Sequence, residues 1–166
     1  MTEFDASSAP ASEIVIGRMS EHDLLEVVNI EENSGLSRWG WAAYYAELQG
    51  PNRNLMLVAR LARVGTADAE QVIGYIAARV TSDELHINNV AVRELYRGKG
   101  VGYALLSSIV EEGERSGATT AFLEVRSGNT AAQALYEKVG FEAIATRANY
   151  YSEPREDAVV MKLDLR

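Results

Sequence analysis

Val90-Ala-Val-Arg-Glu-Leu-Tyr-Arg-Gly-Lys-Gly-Val-Gly102 runs directly into Tyr103-Ala-Leu-Leu-Ser-Ser-Ile-Val110. The first three residues read as the end of a buried strand. The last stretch reads as an amphipathic helix that begins near Gly100 and carries Val101, Leu105, Leu106, Ile109 and Val110 on one apolar face. The amide hydrogens of a helix's first turn have no partners inside the helix, and the helix dipole adds partial positive charge there. Glycines at 98, 100 and 102 remove the side chains that would hold a diphosphate away from those amides. A strand, a glycine loop and a helix start in this order predict a site for a phosphate ester.

Working outward toward the N-terminus, three strand-like runs precede the loop, at residues 55–61, 72–80 and 84–92. Their connections are read at 65–70 and 81–83. Before them, residues 37–48 form an aromatic-rich helical stretch with Trp39, Trp41, Tyr44 and Tyr45, broken by Pro51, Asn52 and Asn54. Ser20, with Asp23 three residues on, marks the start of an earlier helix through Leu24, Leu25, Val27, Val28 and Ile30. Ile14, Val15, Ile16 and Met19 suggest a first strand. Residues 1–12 read as a disordered leader to one domain over residues 13–166.

Toward the C-terminus, the helix after the loop ends at Ser116 with Gly117 in the position that favours glycine. Residues 121–125 form a short strand. Residues 130–139 form a short helix between Asn129, a plausible N-cap, and Gly140. Strands near 141–148 and 158–165 close the chain. The order β-α-α-β-β-β-α-β-α-β-β predicts an α/β (α+β) domain: a mixed sheet of seven strands with about four helices on its two faces.

The composition narrows the function. With 166 residues, 47% apolar and 24% charged, the chain is long enough for one ordinary core. No apolar run is long enough to span a membrane, and the N-terminus lacks the pattern of a signal peptide, so the expected location is cytoplasmic. Cysteine is absent, which removes disulfides, thiolate metal sites and any acyl-cysteine intermediate. His22 and His86 are too few and too far apart to suggest a metal centre. A net charge of −8 argues against nucleic-acid binding, while Arg93, Arg97 and Lys99 gather positive charge at the glycine loop. The loop has no Gly-Lys-Ser/Thr of a Walker motif, and its glycine spacing is not that of a Rossmann fingerprint.

Arg97-Gly-Lys-Gly-Val-Gly102 resembles the (Gln/Arg)-x-x-Gly-x-(Gly/Ala) signature of the GCN5-related N-acetyltransferases (GNAT). Leu123-Glu-Val-Arg-Ser-Gly-Asn-Thr-Ala-Ala-Gln-Ala-Leu-Tyr-Glu-Lys-Val-Gly-Phe141 resembles a segment of their RimI-type branch, the ribosomal-protein alanine N-acetyltransferases. The tail, Asn149-Tyr-Tyr151 followed by Glu156-Asp-Ala158 and Met161, is similar to the same branch's C-terminus. Together these motifs cover about half the chain. Gly128 stands where the branch has serine, Arg93-Glu94 replaces its Asp-Pro, and the first half of the chain has no close match.

The resemblance implies the GNAT fold and acetyl-CoA as donor, with no metal. Arg97, Gly98, Lys99, Gly100, Val101, Gly102 and Tyr103 would surround the diphosphate. Val90, Ala91 and Val92 would offer main-chain groups to the pantetheine arm and the thioester carbonyl. Asn129 would bond the same arm, as an alternative to its capping role. Glu124 would be the general base and Tyr136 the acid that protonates the thiolate; a protein α-amine, with a pKa of about 8, needs only a modest base. Trp39, Tyr150 and Tyr151 are candidates for the acceptor wall, although an aromatic stripe such as 39–45 is equally a core. The expected acceptor is a protein N-terminus, the N-terminal alanine of a small-subunit ribosomal protein. A lysine side chain, a small-molecule amine and a non-catalytic acetyl-CoA sensor remain as alternatives.

Overall fold

A computed structural model of the chain describes residues 12–35, 38–51, 55–63 and 71–165. The leader expected over residues 1–12 lies outside them except for Ser12, as does the hairpin connection read at 65–70. Seven strands, β1 (Ser12–Arg18), β2 (Met56–Arg63), β3 (Gln71–Thr81), β4 (Glu84–Val92), β5 (Thr120–Arg126), β6 (Glu142–Ser152) and β7 (Arg155–Asp164), form one sheet in the order β1-β2-β3-β4-β5-β7-β6. Four helices accompany them: α1 (Leu24–Glu32), α2 (Gly40–Gln49), α3 (Val101–Arg115) and α4 (Thr130–Val139). Element order and class agree with the sequence reading. The aromatic helix starts three residues later than residue 37, at a positive-φ Gly40. The amides of Trp39 and Gly40 both donate to Glu31 Oε1, at 2.8 and 3.1 Å, so a carboxyl group from the end of α1 caps α2.

Local chemistry sets the other ends. Before α1, the Ser20 amide donates to Asp23 Oδ2 at 2.8 Å, and Arg60 reaches the same oxygen at 2.6 Å. At the end of α3, the Gly117 amide bonds Glu114 O and the Ala118 amide bonds Gly113 O, a Schellman closure made possible by Gly117 at φ +92°.

The sheet separates two cores. On one face Leu57, Ile73, Ile76, Leu85 and Ile87 pack under α3, with Tyr136 and Phe141 joining from α4 and its exit. On the other, Val58, Val72, Tyr75, Ala77 and Ala91 pack under α1 and α2 with Val27, Ile30, Tyr44 and Leu48. β4 serves both by means of a bulge. Ala78 pairs with Ile87 and Ala77 with Asn89, so Asn88 is an extra residue. Before it, Leu85 and Ile87 face α3; after it, Asn89 and Ala91 face α1 and α2. A one-residue insertion thus inverts which face each side chain meets.

Candidate active site

The site grows from a divergence of two strands. β4 and β5 are parallel neighbours, but they pair only from Glu84/Thr120 to Ile87/Leu123. Beyond that point β4 stays with β3, and β5 stays with β7 through Glu124 and Arg126. The two strands part just past the bulge, and Glu124 is the first residue of β5 after the parting. Main-chain direction along β4 follows from alternation. The Arg93 amide donates to Ile73 O at 2.7 Å, so Ala91, two residues earlier, also turns its main chain toward β3. Val90 and Val92 turn theirs toward the opening. Of the three residues expected to offer main-chain groups there, the alternation selects these two and commits Ala91 to Tyr75.

The glycine loop closes one end of this opening. Gly98 and Gly100 have φ of +75° and +84°, and open space lies where a Cβ would project from either. The Ala104 amide bonds Gly100 O at 3.0 Å, so the amides of Val101, Gly102 and Tyr103 come too early in α3 to reach a helical carbonyl. Gly102 serves packing, since its Cβ would stand 2.8 Å from Leu135 of α4. Arg97 Nε donates to Val92 O at 3.0 Å and ties the loop back to β4. Lys99 Nζ lies 5.7 Å from the Tyr96 ring centroid, and Tyr103 is exposed. Arg93, which replaces the branch's aspartate, clamps α1 to the sheet: its guanidinium reaches Val72 O, Asn29 and Glu26.

On the β5 side, a cluster surrounds Glu124. Arg147 Nη1 of β6 lies 3.2 Å from Glu124 Oε1. Tyr150 also meets this carboxyl group; their hydrogen bond, followed by burial, pushes its phenol up to about 12. Tyr151 is held above the ordinary phenol range by burial first and by Glu124 next, with Arg126 opposing. Tyr136 is pushed up to about 12 by burial and then by Tyr151. Tyr151 therefore lies within electrostatic reach of both Glu124 and Tyr136. Gln133, one turn before Tyr136, donates to Arg126 O and Ser127 O and fixes α4 to the end of β5.

A local distortion delivers the tyrosines. Arg147 pairs with Ala158 and Tyr151 with Glu156, so residues 148–150 stand opposite Asp157 alone. Asn149 adopts φ +53°, and its amide donates to Asp157 Oδ1 at 2.8 Å. The hairpin is held to the β5–α4 loop by Arg126, which reaches Pro154 O, Glu153 O and Glu156 and lies 4.2 Å from the Tyr151 ring centroid. Glu156 Oε2 in turn accepts from the Gly128 amide at 2.6 Å. A Cβ on residue 128 would meet that oxygen at 2.8 Å, so a side chain there would have to displace the Glu156 carboxylate. Asn129 caps α4 by accepting from the Ala132 amide at 3.1 Å and is exposed.

The aromatic stretch divides. Tyr44 is fully buried, Trp39 packs on it at 5.1 Å between centroids, and Trp41 and Tyr45 stack on each other at the surface. Tyr44 is therefore core and not a groove residue. Sequence reasoning missed Arg147 as a neighbour of the candidate base, and Arg126 and Glu156 as the ties between the β6–β7 hairpin and the β5–α4 loop. All three lie in or next to motifs quoted above, but only strand pairing brings them together. Among the described residues, no cluster of His, Asp and Glu is arranged to hold a metal ion, and no helix is long and apolar enough to cross a membrane.

The family model described as acetyltransferase (GNAT) matches residues 24–141. The ribosomal protein bS18-alanine N-acetyltransferase of Escherichia coli is 40% identical over 97 residues; the match spans 57% of this chain and 66% of that protein, just under two thirds of its length. The Haemophilus influenzae protein of the same name is 31% identical over 89% of this chain and 96% of its own. A crystal structure of the Escherichia coli ribosomal-protein-S18-alanine N-acetyltransferase superposes with a TM-score of 0.75 at 33% identity, covering 92% of this chain and 94% of that one.

Proposed function

From the premise that this chain belongs to the acetyltransferase (GNAT) family, we propose that it moves acetyl from acetyl-CoA to a protein N-terminal α-amine, with an N-terminal alanine of a ribosomal protein as the favoured acceptor. GNAT acetyltransferases use acetyl-CoA, and the residues here suit that donor. Two positive-φ glycines with open space beside them, and three first-turn amides of α3, make a cradle for a diphosphate. The main chain of Val90 and Val92, turned into the opening, suits the pantetheine amides and the thioester carbonyl.

The observation that carries the reading is the position of Glu124. It is the first residue beyond the parting of β4 and β5, beside Tyr150 and Arg147, and Tyr151 is in electrostatic reach of both it and Tyr136. In the proposed reaction Glu124 takes a proton from the attacking amine. A new C–N bond forms at the thioester carbonyl carbon, and the developing oxyanion is met by main-chain amides of β4. The C–S bond breaks and the sulfur takes the phenol proton of Tyr136, which is replaced by the proton that Glu124 removed from the amine. With its phenol at about 12, Tyr136 is fully protonated at neutral pH. It is a weaker acid than a thiol, at about 8.5, so it serves as a hydrogen-bond donor and relay and does not persist as tyrosinate.

The relatives named for bS18 support the acceptor class. The test is coenzyme A release with four acceptors: a peptide beginning in free alanine, the same peptide blocked at its N-terminus but carrying lysine, a polyamine, and none. Release confined to the first supports the proposal. Release with blocked peptide or polyamine, or acetyl-CoA binding with no release at all, overturns it.

A further inference from the structure

In the core between the sheet and the α1–α2 layer lies a buried polar chain that the proposed chemistry leaves unused. Glu31 is 1% exposed, Asn89 is 7% exposed, and Tyr44 and Tyr75 are fully buried. Asn89 Nδ2 donates to the Tyr44 hydroxyl at 3.0 Å, Tyr44 donates to Glu31 Oε2, and the Tyr44 and Tyr75 hydroxyls are 2.9 Å apart. The other oxygen of Glu31 holds the amides of Trp39 and Gly40 at the start of α2. Burial, with Tyr75 and Glu31 adding to it, keeps Tyr44 far above the ordinary phenol range, so it remains a neutral hydroxyl able to donate and accept at once.

Asn89 is the first residue after the bulge at Asn88. Apolar packing alone specifies that bulge weakly, because Val90, Ala91 and Val92 are tolerable on either face of the sheet. Asn89 is not. Moving the bulge past it would turn its amide into the apolar core under α3, where it would lose its partner, and a buried amide without a partner is costly. The register that satisfies Asn89 is also the one that turns the main chain of Val90 and Val92 into the opening.

We infer that Asn89 is a positioning residue, which fixes the bulged register of β4 through Tyr44 and Glu31 and thereby aims Val90 and Val92 at the donor thioester. The inference rests on the proposed acetyl transfer. It adds that the anchor of the donor strand lies in the α1–α2 layer.

The test compares Asn89→Leu, Tyr44→Phe and the double variant with Val27→Ala, a core truncation in the same layer that leaves the chain of hydrogen bonds intact. All are assayed below their melting temperatures for acetyl-CoA binding by calorimetry and for turnover. Asn89→Leu and Tyr44→Phe should each weaken acetyl-CoA binding and lower kcat on the order of tenfold to a hundredfold. The double variant should lose no more than the worse single one, because both cut the same link. Val27→Ala should lower the melting temperature while leaving kcat and binding near wild type. Unchanged binding and kcat in folded Asn89→Leu, or losses that multiply in the double variant, would overturn the inference. Wild-type protein that turns over no amine would sink the proposed function instead, and the binding arm would still decide the role of Asn89.

Discussion

The Glu124–Arg147 pair illustrates how little a contact distance says about its energetic role. The two side chains are 32% and 57% exposed, so solvent screens their attraction and the pair contributes little to folding. Its importance lies in where it holds the carboxyl group. Arg147→Met should therefore change thermal stability by no more than about 0.5 kcal/mol, while turnover falls more than acetyl-CoA affinity. Glu124→Gln keeps the shape and removes the base, and kcat should drop on the order of a hundredfold to ten-thousandfold with acetyl-CoA binding retained. Steady-state kinetics beside calorimetric binding separate the two quantities. Undiminished kcat in Glu124→Gln would reassign the base. Glu124 and Tyr136 were named as candidates from their motif, whereas Arg147 was not. It reaches Glu124 across β7, and nothing local in residues 142–152 announces that neighbour.

Elements read from the sequence succeed where their signals are local. The glycine loop, the start of α3 and its Schellman end are written in consecutive residues, and each forms as expected. The bulge in β4 was missed, although a trace of it exists. Apolar positions fall at 85 and 87, then shift phase across Asn88 and Asn89 to 90 and 92. The distortion at 148–150 left no such trace, because it depends on Asp157 of the partner strand. The same logic separates two roles at helix starts. Gly100→Ala meets no steric obstacle but must hold φ near +84°, a strain of about 1 to 2 kcal/mol. It should lower the melting temperature slightly and raise the KM for acetyl-CoA, with kcat at saturation little changed. Asn129→Ala removes the cap of α4, at a cost of about 1 kcal/mol. If Asn129 only caps, acetyl-CoA affinity stays at wild type; if it also bonds the pantetheine arm, affinity falls beyond what the stability loss explains.

At the scale of the whole molecule, the tyrosines make folding sensitive to alkaline pH. Of the eight in the sequence, Tyr44, Tyr75 and Tyr136 are buried in the two cores, and burial raises the pKa of all three. The direction of the linkage follows from the folded value lying above the unfolded one. Tyr136 ionises near 10.0 when unfolded and at about 12 in the fold. Its stabilising contribution is complete below the unfolded value and is lost as pH rises through the folded one. For Tyr136 the loss is on the order of 3 kcal/mol, a large share of the 5 to 15 kcal/mol typical of a domain. Tyr44 and Tyr75 act in the same sense. The protein should therefore hold its fold up to about pH 10 and unfold cooperatively over the next two units. Phenolate absorbance from the buried tyrosines should appear together with the loss of circular dichroism, not ahead of it. Tyr136→Phe, compared at matched starting stability, should show a shallower decline over that range. Reversible ionisation of Tyr136 near its unfolded value, with the dichroism intact, would mean that its hydroxyl is open to water, and the weak-acid role given to it in protonating the thiolate would fall with its burial.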